Sequence, residues 1–188
     1  MSRRLLLLGL VFTAPVFGGT EALDAVLGAL AGRRHGEAAF TEKQFLSILK
    51  HPLESSGVLI FDAPQHLEKR TLEPRPESLV LDGNRVTVQR GARRREFDLQ
   101  SYPQLIPLIE SLRATLAGDR AALERQFHLD FSGNLSHWTL KLSPLDARLT
   151  RTVAEVQIEG DHDNLIEVRM LQPDGDRTLL KLQPSAVR

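Results

Sequence analysis

Residues 78–99 read SLVLDGNRVTVQRGARRREFDL. Two β-rich runs, residues 78–81 and 85–89, flank Asp82-Gly83-Asn84. An Asp-Gly turn between such runs is the strongest short hairpin signal a sequence carries. Gly91 then turns the chain into a third run, residues 93–99. Connections this short force antiparallel pairing. Working outward, the pattern repeats. Upstream lie strand candidates at 40–45, at 56–62 ended by Ala63-Pro64, and at 67–72 before Pro74 and Pro76. Downstream, Phe127, Leu129 and Phe131 alternate with Gln126, His128 and Asp130, and Gly133-Asn134 turns the chain. Trp138, Leu140 and Leu142 then alternate up to Pro144. Residues 152–159, 165–171 (Ile166, Val168 and Met170 on one side) and 178–182 complete about ten strands.

Two segments have a different period. Leu23, Val26, Leu27 and Leu30 within residues 21–34 recur at helical spacing, with Gly32 as the stop. Leu105, Leu108, Ile109, Leu112 and Leu116 do the same within 101–118, where Pro103 and Pro107 make the first turns irregular. Residues 119–125 add a short helical turn. A long antiparallel sheet curls, and its apolar inner face needs a cover. The sequence therefore predicts an α+β fold: a curved antiparallel sheet with amphipathic helices in its concavity.

Composition narrows the function. The 188 residues hold 24 basic and 24 acidic side chains, 41% hydrophobic residues and no Cys. One domain is expected, able to bury a core without staples. Zero net charge argues against nucleic-acid binding and removes any global pull toward an anionic membrane. Without Cys there is no disulfide, thiolate site or lipid-modified Cys. Residues 1–19, MSRRLLLLGLVFTAPVFGG, place Arg3 and Arg4 before an eight-residue apolar run and Pro15. This is the layout of a secretory signal peptide, too short to span a bilayer. The cut is expected after Gly18, Gly19 or Ala22, leaving one domain over 20–188.

No grouping carries obvious chemistry. Asp161-His162-Asp163 sits in a Gly-flanked turn, where polar residues belong anyway, and His128 with Asp130 lies on the polar side of a strand. Nucleophile-elbow, phosphate-loop and zinc-ligand patterns are absent. Arg90 and Arg93-Arg94-Arg95 form a charge run, read as a solvated edge or as a docking patch for a headgroup or partner. The aliphatic inner set suits either a solid core or an acyl-chain cavity, and periodicity alone favours the core.

Residues 40–83 read FTEKQFLSILKHPLESSGVLIFDAPQHLEKRTLEPRPESLVLDG. The order Phe40-Thr41-Glu42-Lys43, then Gly57-x-Leu59-x-Phe61-x-Ala63-Pro64, Leu67, Thr71 and Pro74, then Ser78-Leu79-Val80-x-Asp82-Gly83 resembles the LolA-like family of periplasmic outer-membrane lipoprotein carriers. Trp138-x-Leu140-x-Leu142-x-Pro144 is similar to the family's second half, and the resemblance covers about 20–184. It implies an incomplete β-barrel of about 10–11 strands, with an α-helical lid over a hydrophobic cavity. It also implies a monomeric, non-enzymatic carrier in the periplasm of a Gram-negative bacterium, without cofactor, metal or nucleic acid. Such a carrier takes acylated lipoprotein or lipid from an inner-membrane transporter to an outer-membrane acceptor. The cavity residues implied in the first half are Phe40, Leu59, Phe61, Leu67, Leu79 and Leu81. The lid would add Leu105, Leu108, Leu112 and Leu116, and the second half Phe127, Leu129, Phe131, Trp138, Leu140 and Leu142.

One departure bears on the cargo. The family's standard carriers have an Arg before the strand-ending Pro, where it can tie the lid shut; here that position is Ala63. The Trp that follows this motif is also missing, with Lys69 and Arg70 in its region. The chain is thus more similar to divergent relatives that accompany lipid or polyene-lipid export, which points to another acylated cargo. The competing expectation is a solid-core adaptor that docks on an envelope lipid-export complex, with residues 90–95 as its surface. An enzyme acting on acylated glycans or lipids ranks last, because no acid, base or nucleophile clusters.

Overall fold

The structure is a computed structural model that describes residues 19–101 and 106–184. Helix α1 (Gly19–Gly32) leads into six strands: β1 (His35–Phe45), β2 (Leu53–Asp62), β3 (His66–Glu73), β4 (Glu77–Asp82), β5 (Arg85–Arg90) and β6 (Arg93–Asp98). Helices α2 (Ile106–Leu116) and α3 (Arg120–Gln126) follow. Five more strands complete the described residues: β7 (Phe127–Asn134), β8 (His137–Pro144), β9 (Glu155–Asp161), β10 (Asn164–Leu171) and β11 (Arg177–Pro184). The expected leader lies, up to residue 18, outside the described residues, and the candidate cut sites after Gly19 and Ala22 fall in the first turn of α1.

All eleven strands join one antiparallel sheet in the order β6-β5-β4-β3-β2-β1-β11-β10-β9-β8-β7. The edge strands β6 and β7 do not pair, so the sheet curves without closing, as the expected incomplete barrel requires. The hairpins read from the sequence are present, with small shifts. The tight loop after β4 is Gly83-Asn84, closed by the Asp82–Arg85 pair, rather than being centred on Asp82-Gly83. β1 begins at His35, five residues before the expected start, and β9 begins at Glu155 rather than 152. A bulge between Leu165 and Glu167 breaks the alternation expected in β10. It turns Leu165 inward (8% exposed) and Ile166 outward (39% exposed), so Ile166 does not share a face with Val168 and Met170.

Helix α1 buries the four apolar residues of its stripe, Leu23, Val26, Leu27 and Leu30. It packs on β7 and α2 and fills the concavity of the second half of the sheet. There it meets Trp138, Leu140, Leu142, Val156 and Ile158, all essentially inaccessible. Burying side chains of this size stabilises by about 1.5–3 kcal/mol each. Helix α2 crosses the first half, where Ile106 and Ile109 pack on a second cluster of Phe61, Leu67, Leu81, Val86 and Leu99. Pro107 falls in the first turn of α2, where the missing N–H costs nothing. Leu116 touches both clusters and links the two halves.

Gly118, at φ +66°, lets the end of α2 approach α1: a Cβ there would lie 2.4 Å from the Leu27 carbonyl oxygen. Asp119 then caps α3, its Oδ1 accepting from the Ala122 N–H at 2.8 Å. Asp119→Ala should lower stability by about 0.5–2 kcal/mol. Urea unfolding measures this, and a midpoint equal to wild type would show the cap to be dispensable.

Candidate ligand-binding cavity

Between α2 and the central strands the sheet leaves a cavity of about 440 Å³. This lies within the ~300–1,000 Å³ of small-molecule sites. Strand alternation supplies its walls. Ala38 pairs with Leu59 across β1 and β2, Leu59 with Lys69 on β3, and Lys69 with Leu79 on β4. Phe61, Leu67 and Leu81 form the adjacent row. On the other side of β1, Leu180 and Leu182 of β11 and Leu165 and Met170 of β10 complete the wall. Ile109, Leu112 and Leu116 of α2 form the roof. The seam between β1 and β11 thus runs under the middle of the cavity.

Both ends are polar. At one end Arg33, just past α1, pairs with Asp163 (Nε to Oδ2, 3.0 Å) and donates to Asn164 Oδ1 at 2.8 Å. This ties α1 to the β9–β10 turn, and Arg33, Glu37 and Asp163 rim the cavity there. At the other end stand Glu42, Gln44 and Lys69, with Gln172, Asp176 and Arg177 opposite. Lys69 Nζ and Ser55 Oγ both donate to Glu42 Oε2, at 2.6 and 2.9 Å. The Lys69 ammonium also lies 5.1 Å from the centre of the Phe40 ring. The roof is fastened by Arg113 of α2, which donates to the carbonyls of Gln65 (3.0 Å) and Gly83 (2.5 Å) on the sheet rim.

Of the residues expected to line a cavity, Leu59, Phe61, Leu67, Leu79, Leu81, Leu112 and Leu116 stand on this one. Phe40, Phe127, Trp138, Leu140 and Leu142 lie instead in the packed cluster under α1, with Leu129 and Phe131 against it. They face inward, as their alternation predicts; α1 occupies the space before those of β7 and β8, whereas Phe40 is buried on β1 between the chamber residues Ala38 and Glu42, with Lys69 over its ring. Leu105 and the side chain of Leu108 lie outside the described residues. Sequence reasoning missed Leu165, Met170, Leu180 and Leu182, and every polar residue at the two ends. The alternation of Leu180 and Leu182 was a usable signal; their place beside β1 was not.

Asp163 is engaged by Arg33, and the His162 ring by Asp161. His128 and Asp130 are exposed on the outer face of β7. Among the described residues no helix is long and apolar enough to cross a membrane.

The fold and the apolar chamber define a class, open antiparallel sheets with a helical roof. Residues 18–186 match the family described as outer membrane lipoprotein carrier protein LolA-like, and the chain belongs to that family. Among solved structures, a LolA superfamily protein from Nitrosomonas europaea is similar at 9% identity, with 86% of this chain and 91% of that chain covered and a TM-score of 0.42. MucB of Pseudomonas aeruginosa, solved with MucA, is similar at 14% identity, with 90% and 58% covered and a TM-score of 0.48. The lipoprotein LppX of Mycobacterium tuberculosis is similar at 8% identity, with 89% and 97% covered and a TM-score of 0.47. No match was found among curated proteins.

Proposed function

We propose that this protein is a carrier that takes acyl chains of a lipoprotein or other lipid into the chamber under α2. The observation that carries the proposal is the chamber itself. Its middle is walled by apolar side chains from six strands and roofed by three more from α2. Such a surface offers an acyl chain no specific polar partner and needs none, since transfer from water yields about 0.8 kcal/mol per methylene. Release then requires an acceptor of similar depth, which suits a hand-off between two apolar sites. In this reading residues 1–19 direct export, residues 20–188 act as one monomeric domain in the periplasm, and an inner-membrane transporter and an outer-membrane acceptor stand at the two ends of the route. No catalytic step is involved.

The test is uptake of a fluorescent fatty acid by purified protein. Wild type should bind it, and Leu112→Arg in the roof should abolish binding. Leu112 also packs in the core. The partly exposed wall residue Leu59 therefore supplies a second variant, and Leu59→Arg should weaken uptake about tenfold or more while the fold is kept. Wild-type protein without uptake, or uptake unchanged in both variants, would sink the carrier reading in favour of a solid adaptor.

A further inference from the structure

The lower end of the chamber opens beside a polar cleft. Glu42, Gln44 and Lys69 line both, and the cleft continues through Ser55, Thr71, Arg75, Glu77 and Arg90. We propose that this cleft is a headgroup site, so that the ligand is an amphiphile with an aliphatic tail in the chamber and an anionic, phosphate-type head against Lys69 and Arg75. The inference rests on the carrier reading and adds the class of ligand.

Three observations carry it. First, the Glu42 and Lys69 side chains are only 12% and 27% exposed. Placing an ion pair at the end of an apolar chamber costs desolvation that an apolar pair would avoid. Their presence is explained if something polar occupies that end. Second, the pair is incompletely used. Lys69 has three N–H donors, and its hydrogen bond goes to Glu42 Oε2. Third, cations outnumber anions in the cleft. Lys69, Arg75 and Arg90 stand against Glu42 and Glu77. Glu77 is engaged by Arg90, and Arg75 is exposed with no ion-pair partner among the described residues. An unpaired guanidinium beside a partly shielded ammonium suits a phosphate or carboxylate.

The arginine run at 90–95 joins this surface by strand alternation. Arg90 pairs with Arg93, and Val88 with Arg95. Val88 packs with the inner cluster, so Arg95 shares the chamber side of the sheet, whereas Arg94 lies on the outer side with Glu96. The run is thus split: Arg90 lines the cleft, Arg95 shares its side of the sheet, and Arg94 on the outer side is paired with Glu96.

The experiment uses displacement of a fluorescent, uncharged alkyl probe from the whole protein by decanol, decyl phosphate and inorganic phosphate. Decyl phosphate should displace it at about tenfold lower concentration than decanol, the gain of a charge-assisted contact. Inorganic phosphate alone should displace nothing. Arg75→Ser should shrink the preference about threefold or more. The double variant Glu42→Gln/Lys69→Met, which removes both charges and orphans neither, should do the same. Decanol and decyl phosphate displacing equally, or a preference intact in both variants, would overturn the headgroup site while leaving the chamber. Displacement by inorganic phosphate would reassign the cleft to free anions. A probe that never binds would remove both readings.

Discussion

Gly160→Ala should destabilise the protein by about 3 kcal/mol. Gly160 lies in β9 directly opposite Trp138 of β8, and the indole covers it. A Cβ built there would sit 2.1 Å from Cζ2 of the ring, 2.4 Å from Cε2 and 2.6 Å from the Asn164 carbonyl oxygen. The far end of a flexible side chain can give way; a ring that is 1% exposed and anchored cannot. Trp138 Nε1 donates to the His162 carbonyl at 3.1 Å, so tilting the ring away breaks that bond as well. Urea unfolding gives the number, with Gly28→Ala as the counterpart. Gly28 is exposed on α1 with nothing within 4 Å of a new Cβ, so alanine there should stabilise by about 0.5–1 kcal/mol. A Gly160→Ala midpoint close to wild type would mean that the Trp138 contact is soft.

Arg113→Met should loosen α2 from the sheet without unfolding the rest. The guanidinium reaches from α2 to two carbonyls, on the β2–β3 and β4–β5 turns, and is 11% exposed. Hydrogen bonds from a charged donor contribute about 1.5–3 kcal/mol each. Nε is buried with no partner among the described residues, which offsets part of this. A net loss of about 1.4 kcal/mol makes local opening about tenfold more frequent. Amide hydrogen exchange should therefore quicken about tenfold across α2 and stay unchanged in β8–β10. Uniform acceleration would show instead that Arg113 supports global stability. The resemblance located a roof tie at position 63, where this chain has Ala63. Ala63 packs on the apolar cluster under α2, and the tie comes from the other side, from α2 to the sheet.

The hairpins were legible because their turns are local: Gly83-Asn84 needs nothing beyond its neighbours to read as a turn. The stripe of α1 was equally plain, since one face carries all four of its buried apolar residues. Where the chamber lies was not legible. Alternation tells which side chains face inward, but Trp138 and Leu59 face inward alike. Only the docking of α1 on β7 fills the space before one and leaves it before the other. Nor does a single strand announce its bulge: alternation groups Ile166 with Val168 and Met170, although Leu165 takes that place. The polar ends of the chamber were invisible for a related reason. Glu42 and Lys69 look like ordinary strand charges, because nothing local shows that the Lys69 side chain reaches across β2 to Glu42.

The β1–β11 pairing also sets an order of assembly. Every other pairing in the sheet joins strands consecutive in the chain, so each can form by closing a short loop. Phe40 meets Leu182 only after nearly the whole domain has been gathered between them. This seam is also where the chamber is walled, by Ala38 on one side and Leu180 and Leu182 on the other. The chamber is therefore not fully walled until the pairing with the greatest sequence separation has formed. A chain that still lacks its final strand has no complete wall with which to hold a ligand.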